Sequence, residues 1–390
     1  MTTPRSRDGG ADTPPARDTP ARDRWTSWAV PYENQPVTHS LIIGSGSSIP
    51  TRCITNDMLA TVMETSDEWI RERTGVETRY FVDPGTSTLD LSVPAAKQAI
   101  EAAAVQPDDI DLVVYATMTP DHYIPGNGGL LQARLGLRNI PCFDIRQQCC
   151  GFVYALQLAD AQIRAGFAKT VLIVGAEVHS IFMTFRAGSW ARLDGAIDTP
   201  IPQDEWDLST KYRHLAVLFG DGAAAVVVQA QTDGDRGIID HIICADGADY
   251  DRLCVPGTGS AHRPYVDAEM IGRGDHYPVM DGRYIFKQAT TRMAEVAQAI
   301  LKRNGLTPAD LSLVLMHQAN GRINEYVQKL LGLPASKVIH NIQKYGNTTA
   351  ATIPLLWDES VRTGRITPGG LVLCVAFGAG LNWGATLIRA

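Results

Sequence analysis

The 390-residue sequence lacks long hydrophobic runs and an excess of basic charge. Eighteen apolar residues never follow one another, and the first forty residues hold no apolar segment of signal-peptide length. The 35 Lys and Arg residues are outnumbered by 42 Asp and Glu, which gives a net charge of −7. A surface that binds nucleic-acid phosphates needs a basic excess. We therefore expect a cytoplasmic protein with no membrane span and no nucleic-acid partner.

The sequence also lacks a paired cysteine framework. Its seven cysteines are scattered, and a disulfide between the adjacent Cys149 and Cys150 would be strained. A zinc site would need further ligands at the short spacing of finger motifs, and these are missing. We expect free thiols and no metal. Buried core positions are expected for the isolated cysteines, Cys53, Cys142, Cys244, Cys254 and Cys374.

The composition changes near residue 38. Residues 1–37 are rich in Pro, Asp, Arg, Gly and Thr, and such a segment buries too little apolar surface to offset the entropy of ordering. We predict a disordered N-terminal extension there. The folded sequence then begins with SLIIGSGSSIP, which predicts a short strand followed by a Gly/Ser turn.

Two parts of the chain resemble each other. The segment QPDDIDLVVYAT resembles TPADLSLVLMHQ, and each is flanked by helical runs, a further strand (IPCFDI or KVIHNI), a small-residue helix and a last apolar strand. This predicts two tandem αβαβ halves, 38–230 and 236–390, joined at QTDGDRG. Continuous apolar strands that alternate with helices favour an α/β layered fold.

Equivalent strand ends in two such halves should face each other. The first half offers Cys149 at a strand-to-helix turn, and the second offers His317 and Asn347. A helix N-terminus stabilises a thiolate, which would make Cys149 nucleophilic near neutral pH. His and Asn can donate hydrogen bonds to one developing oxyanion. The trio therefore suits acyl transfer through a thioester. Surface or structural roles are predicted for the other histidines, His122, His179, His214, His241, His262, His276 and His340.

Six motifs carry a family resemblance. They are, in chain order, TSDEWIRERTGVETR, QCCGF, LFGDGAAAVVV, LMHQANGRI, KYGNTTAATIP and AFGAGLNWGATLIR. With these motifs in the family's order, residues 38–390 resemble the ketoacyl-ACP synthase III family of the thiolase superfamily. The resemblance implies a five-layered αβαβα fold, a homodimer and a triad of Cys149, His317 and Asn347. It also selects Cys149 over Cys150, because the family pattern is cysteine, one small residue, then Gly-Phe.

The resemblance also implies a reaction. An acyl-CoA primer would load onto Cys149, and malonyl-ACP or malonyl-CoA would then lose CO2 and condense with the acyl group. CoA and phosphopantetheine thioesters would be substrates, acyl-carrier protein a partner, and no resident cofactor is expected. Backbone N–H groups of Cys149 and of the FGAGL loop would donate hydrogen bonds to a second oxyanion, that of the tetrahedral intermediate on Cys149. This loop has Ala379 where the family commonly has glycine.

Carrier binding is expected at the segment SDEWIRERTG. The resemblance implies that Trp69 stacks on the CoA adenine and that Arg73 lies near the phosphates, with Arg71 adding charge. The alternative is an amphipathic helix whose tryptophan belongs to the core and whose charges are solvated.

Two departures from the family bear on the primer. Residues 186–214 are longer than the usual connection and contain Trp190 and Trp206, which could cover an acyl tunnel or a dimer surface. Ile124 stands where many members have a larger aromatic residue lining the partner's acyl pocket. Ile124 is therefore a candidate for the wall of the acyl tunnel, and Phe377 is a second candidate. A primer larger than acetyl is expected.

Two other functions use the same residues. An acyltransferase or a non-decarboxylating condensing enzyme would also need Cys149. Simple acyl transfer would not need Asn347 as a hydrogen-bond donor to the oxyanion that forms on decarboxylation. A non-catalytic partner subunit should have lost the nucleophile or its helpers. All three residues are present, which favours the decarboxylating reaction.

Overall fold

The structure is a computed structural model of the chain, and it describes residues 39–390. The extension predicted at 1–37 lies outside the described residues. The strands are β1 (His39–Ser48), β2 (Arg52–Thr55), β3 (Thr78–Phe81), β4 (Leu112–Ala116), β5 (Cys142–Ile145), β6 (Thr170–Glu177), β7 (Gly222–Gln231), β8 (Gly237–Ala245), β9 (Leu253–Cys254), β10 (Val279–Met280), β11 (Leu313–Met316), β12 (Leu371–Gly378) and β13 (Asn382–Arg389).

Helices alternate with most of these strands. They are α1 (Asn56–Leu59), α2 (Asp67–Thr74), α3 (Thr88–Ala102), α4 (Gly128–Leu135), α5 (Gly151–Arg164), α6 (Ala187–Leu193), α7 (Gln203–Lys211), α8 (Arg213–Leu218), α9 (Ala268–Arg273), α10 (Gly282–Arg303), α11 (Gly321–Leu330), α12 (Ile342–Tyr345) and α13 (Thr352–Arg362). Short 3-10 turns include Gln148–Cys150, His179–Phe182 and Thr349–Ala351. Within residues 39–390, no helix has both the length and the apolar character needed to cross a bilayer.

Two sheets organise the chain. The first has the strand order β1-β7-β6-β4-β5, and the second has the order β11-β12-β13-β8. β4 is parallel to both β5 and β6, whereas β7 is antiparallel to its neighbours β1 and β6. In the second sheet β11 is parallel to β12, and β13 is antiparallel to both β12 and β8. Loops that carry polar residues begin at the carboxyl ends of β4, β6 and β11.

Five layers follow from the helix positions. α5 and α13 lie between the sheets, where Phe152, Leu156, Leu356 and Trp357 join one buried apolar cluster with strands of both sheets. α3 and α4 cover the outer face of the first sheet, and α10, with α11 beside it, covers the second. The predicted αβαβα architecture is confirmed. This arrangement places the N-termini of both central helices between the two sheets.

The predicted Gly/Ser turn after the first strand is wrong. β1 continues through the GSGSS segment to Ser48, and Gly44 and Gly46 lie against α3. A Cβ atom on Gly46 would lie 2.5 Å from the carbonyl oxygen of Ala95. The glycines therefore permit a close approach of strand and helix instead of forming a turn.

The strand predicted for KVIHNI is also wrong. Only Val338 pairs with β11, in a single bridge to Val314, before the chain enters α12. Side chains bind Asn341, three residues later: its backbone N–H donates to Gln318 Oε1 at 3.3 Å, and its side-chain amide donates to Glu359 at 2.9 Å. These side-chain hydrogen bonds take the place of the backbone hydrogen bonds that a neighbouring strand would supply.

The 186–214 segment is folded. It contains α6, α7 and the start of α8, and its tryptophans join an apolar cluster of the first half. The Trp190 ring meets Phe185 edge-on, with 5.1 Å between centroids, and Phe81 at 6.1 Å. Thr210 accepts a hydrogen bond from the Glu64 N–H at 2.9 Å, so the segment lies beside the residues that precede α2.

Candidate active site

Cys149 lies where the chain leaves the first sheet for the central layer. It is in the 3-10 turn Gln148–Cys150, directly before α5. Gln148 has a φ of 45°, a left-handed conformation that costs a residue with a side chain about 1–3 kcal/mol. The end of β12 passes behind the turn, where a Cβ on Gly378 would lie 2.6 Å from the Cys149 Cβ. Only glycine permits this approach.

Two backbone N–H groups face the Cys149 sulfur. They belong to Ala379 and to Cys149 itself, and both favour the thiolate. Burial, and to a smaller extent the Glu177 carboxylate, nevertheless raises the pKa of the Cys149 thiol to about 12. This contradicts the low pKa expected from the helix terminus. Cys149 is therefore a thiol at neutral pH, and it could act as a nucleophile only with a proton acceptor.

Glu177 is a buried carboxyl that the sequence analysis did not select. It ends β6 and accepts hydrogen bonds from Thr119 Oγ1 at 2.8 Å, Thr117 Oγ1 at 3.2 Å and the Met118 N–H at 3.1 Å. Burial raises its pKa to about 8 despite these donors. The group is therefore largely neutral at pH 7, and its ionisation would disfavour a thiolate at Cys149.

His317 follows β11 and is held on both sides. Its N–H donates to the Val375 carbonyl at 2.8 Å, and its Nδ1 lies 2.7 Å from Thr352 Oγ1. The Thr352 hydroxyl donates to the carbonyl of Thr349 at 2.9 Å, so its oxygen accepts from the imidazole. Nδ1 therefore carries the hydrogen, and Nε2 has a free lone pair.

The Nε2 atom of His317 is buried and has no hydrogen-bond partner among residues 39–390. Burial lowers the pKa of the imidazole to about 3, so the ring is neutral at pH 7. A neutral imidazole with a free Nε2 lone pair can accept a proton. It can donate to an oxyanion, as the sequence predicts, only after Nε2 has gained one.

Asn347 is fixed at its oxygen end. The Thr349 N–H donates to Asn347 Oδ1 at 2.9 Å, and the Asn347 N–H donates to the Leu218 carbonyl at 2.8 Å. The Nδ2 group is left to donate elsewhere. Thr349 has a φ of 52°, which for a β-branched residue is a strained conformation of the kind that recurs at functional sites.

The turns that carry these residues pack together. A Cβ on Gly151, two residues after Cys149, would lie 3.1 Å from the Ala350 Cβ. A Cβ on Gly175 in β6 would lie 2.9 Å from the Ala350 carbonyl carbon. The turn Thr349–Ala351 thus rests on the first sheet beside Cys149. Through Thr349 and Thr352 it connects Asn347 to His317, so the three predicted residues share one region.

Trp69 lies near two arginines. The guanidinium carbons of Arg73 and Arg213 are each 4.6 Å from the centroid of the Trp69 ring. The ring is half-buried against the apolar cluster of the first half. By contrast, Arg71 forms ion pairs with Asp67 and Glu77, so its charge is already matched.

The two tunnel candidates lie in different environments. Phe377 is buried at the end of β12, and Ile124 is 81% exposed. Ile124 therefore does not line the interior of its own chain. It can line a tunnel only by contacting a second copy.

Sequence reasoning missed four neighbours of the site. Thr352 lies in the TTAATIP motif and could have been selected from it. No sequence motif marks Glu177, His179 or Arg213 as part of a site. His179, for which a surface or structural role was predicted, is buried, and its Nε2 is hydrogen-bonded to the Thr349 hydroxyl.

Known proteins share this arrangement of segments. The profile of the family described as 3-Oxoacyl-[acyl-carrier-protein (ACP)] synthase III matches residues 143–196 and 204–247, and its C-terminal profile matches 301–390. A beta-ketoacyl-[acyl-carrier-protein] synthase III of Rhizorhabdus wittichii is 39% identical over 350 residues, or 90% of this chain and 99% of the relative. The chain belongs to the synthase III family. The family predicted from the six motifs is confirmed.

Solved structures of the synthase III family agree. The 3-oxoacyl-[acyl-carrier-protein] synthase III of Aquifex aeolicus is 37% identical, with a TM-score of 0.75 over 90% of this chain and 100% of its own. The priming beta-ketosynthase of the R1128 polyketide pathway is 31% identical, with a TM-score of 0.77 over 92% and 98%. The family profile is interrupted at 197–203, inside the segment predicted to be longer than usual.

Proposed function

We propose that the protein loads an acyl group from CoA onto Cys149 and condenses it with a malonyl thioester, releasing CO2 and a 3-oxoacyl product. One observation carries the proposal. A partly buried thiol faces two backbone N–H groups, in a region that also holds the unpaired imidazole Nε2 of His317 and the side-chain amide of Asn347. The reaction requires thioester substrates and no resident cofactor.

The first half-reaction transfers the acyl group. As the Cys149 sulfur attacks the thioester carbonyl, its proton passes to His317 Nε2. The N–H groups of Cys149 and Ala379 stabilise the oxyanion of the tetrahedral intermediate. The carbon–sulfur bond to CoA then breaks, and the departing sulfur takes the proton from His317 and leaves as free CoA thiol.

The second half-reaction forms the carbon–carbon bond. The bond from the malonyl carbon to its carboxylate breaks, CO2 leaves, and the electron pair enters an enolate. Asn347 Nδ2 donates to the enolate oxygen, and His317 adds a second donor whenever its Nε2 is protonated. The enolate carbon attacks the acyl carbonyl, and Cys149 leaves as a thiolate that takes one proton from solvent.

The test is to identify the product. The purified protein is incubated with an acyl-CoA and malonyl-ACP carrying a labelled carbon at its methylene position, and the carrier is analysed by mass spectrometry. The proposal predicts a 3-oxoacyl carrier that retains the label and has lost CO2. Acyl transfer to malonyl-ACP or to another acceptor without loss of CO2 would support the acyltransferase alternative instead.

We extend the proposal to the carriers. The Trp69 ring, with Arg73 and Arg213 close to it, offers a stacking surface and positive charge to the adenine and phosphates of CoA. Acyl-carrier protein, which presents the same phosphopantetheine arm, is the proposed carrier of the malonyl group. All seven cysteines are free thiols, in keeping with the reducing cytoplasm that we propose as its location.

A homodimer is part of the proposal. β5 is one of the two edge strands of the first sheet, and Phe143 on it is 38% exposed. Tyr123 and Ile124, in the loop before α4, are 62% and 81% exposed. An unpaired edge beside exposed apolar side chains suits pairing with a second copy. Analytical ultracentrifugation should give a dimer for the wild type and a monomer for Phe143→Glu, and a monomeric wild type would contradict the proposal.

The dimer would also set the primer length. If Ile124 enters the partner's pocket, an aliphatic side chain in place of a ring leaves room for methylenes, each worth about 0.8 kcal/mol when buried. We propose a primer larger than acetyl. Acylation rates across acetyl, hexanoyl, decanoyl and branched acyl-CoAs test this, with Ile124→Phe as the comparison. A preference for acetyl in both proteins would contradict it.

A further inference from the structure

His179 is a buried histidine that the proposed reaction does not use. It lies in the turn His179–Phe182, two residues after Glu177, and only 2% of its surface is exposed. Its ring lies 4.6 Å from the Phe219 ring, and its backbone N–H donates to the Asp221 carboxylate. The first half of the chain thus holds the backbone of His179 and packs against its ring.

The ring reaches the turn of Asn347. His179 Nε2 is hydrogen-bonded to the hydroxyl of Thr349, the residue in the left-handed conformation. Burial and the neighbouring His317 lower the pKa of His179 to about 3, so it is neutral at pH 7. A neutral imidazole whose Nε2 is engaged is not free to take the proton of Cys149.

Thr349 connects the groups of the site. Its N–H donates to Asn347 Oδ1 at 2.9 Å, and its carbonyl accepts from Thr352, which in turn accepts from His317 Nδ1. Its side chain is the third connection and leads to His179. A β-branched residue keeps a positive φ only where its surroundings hold it there. Movement of Thr349 would therefore act first on Asn347, which its N–H contacts directly, whereas His317 is also held by the Val375 carbonyl.

We propose that His179 is a positioning residue: by holding the Thr349 hydroxyl, it fixes the turn that aims the Asn347 amide at the enolate oxygen. This inference rests on the proposed function and assigns its second half-reaction a residue from the first sheet. A purely structural role would instead require only that the ring fill space against Phe219, which Leu could also do.

Four variants separate these roles: His179→Leu, His179→Gln, Thr349→Val and the double variant His179→Leu/Thr349→Val. Two rates are measured for each, the acylation of Cys149 by acyl-CoA and the release of CO2 from malonyl-ACP. We expect His179→Leu and Thr349→Val each to lower CO2 release about tenfold while acylation stays within about threefold. His179→Gln, which can still bond Thr349, should recover most of the loss.

The double variant provides the decisive comparison. If the two side chains act through one hydrogen bond, it should be no worse than either single variant. Multiplied losses, equal loss of both half-reactions, or no change in His179→Leu would overturn the positioning role. A wild-type protein that acylates but releases no CO2 would overturn the proposed condensation, and the role of His179 with it. An active wild type with an unaffected His179→Leu would overturn only the inference.

Discussion

The Thr352 hydroxyl fixes the tautomer of His317. It donates to the Thr349 carbonyl at 2.9 Å and so must accept from His317 Nδ1, 2.7 Å away. This leaves the lone pair on Nε2, the atom that the proposed first half-reaction uses as a base. The acceptor of the thiol proton is thus determined by a residue 35 positions further along the chain.

Replacing Thr352 by Val should therefore slow acylation of Cys149. The variant keeps the shape of the side chain but leaves the buried Nδ1–H without its acceptor, so we expect about a tenfold loss at pH 7. Rapid-quench measurement of acyl-enzyme formation checks this. Thr352→Ser is the matched control and should retain most of the rate, and equal losses in Ser and Val would contradict the tautomer assignment.

Asn347→Ala should affect the two half-reactions unequally. Loss of one oxyanion donor typically costs 10²–10³ in rate, so we expect CO2 release from malonyl-ACP to fall by about a hundredfold. Acylation should stay within about threefold, because in the proposed reaction the Cys149 and Ala379 N–H groups, not Asn347, stabilise that intermediate.

His317→Ala is the companion variant. It should slow both half-reactions, and its acylation should recover as the pH is raised and the thiol ionises without help. An Asn347→Ala protein that loses acylation as strongly as CO2 release would contradict this division.

Glu177 predicts a pH dependence of stability. Burial raises its pKa to about 8 in the fold from an ordinary glutamate pKa of 4.5, so the fold retains a proton that the unfolded chain releases. This stabilisation is complete below about pH 4.5 and is lost as the pH rises towards 8. Relative to Glu177→Gln, the wild type should lose up to about 1.4 kcal/mol of unfolding free energy per pH unit in that window. Urea unfolding of both proteins from pH 5 to 9 measures this loss. A difference in unfolding free energy that stays constant with pH would contradict the raised pKa of Glu177.

Trp69→Ala and Arg213→Ala should each raise the KM for acyl-CoA, by about tenfold, with little change in kcat. The ring and the guanidinium would both contact the nucleotide end of CoA. Arg71→Ala is the matched control, because ion pairs with Asp67 and Glu77 already neutralise Arg71. A short acyl thioester without the nucleotide should be used equally by all variants. An unchanged KM for every CoA substrate would return Trp69 to the core-helix interpretation.

The sequence predicted the layered fold and the family, because tandem segments and six ordered motifs are local patterns. It could not predict features that depend on distant packing. Gly44 and Gly46 resemble turn residues until α3 is seen to lie against them. The KVIHNI segment has a strand composition, yet Asn341 forms hydrogen bonds with the side chains of Gln318 and Glu359 and not with a neighbouring strand.

The candidate site was predictable in part for the same reason. Cys149, His317 and Asn347 stand in recognisable motifs, and the structure brings the turns that carry them together. The pKa of the thiol was not predictable, because burial outweighs the favourable N–H groups. Nor was Arg213, since no local pattern connects it with Trp69.

The most direct test of the account is the intact mass of the protein in two steps. Wild type treated with acyl-CoA should gain the mass of one acyl group, and malonyl-ACP should then remove it. Cys149→Ala should gain no acyl mass, whereas Cys150→Ala should behave as the wild type. An acyl group on Cys149→Ala, or its loss in Cys150→Ala alone, would contradict the assignment of Cys149 as the nucleophile.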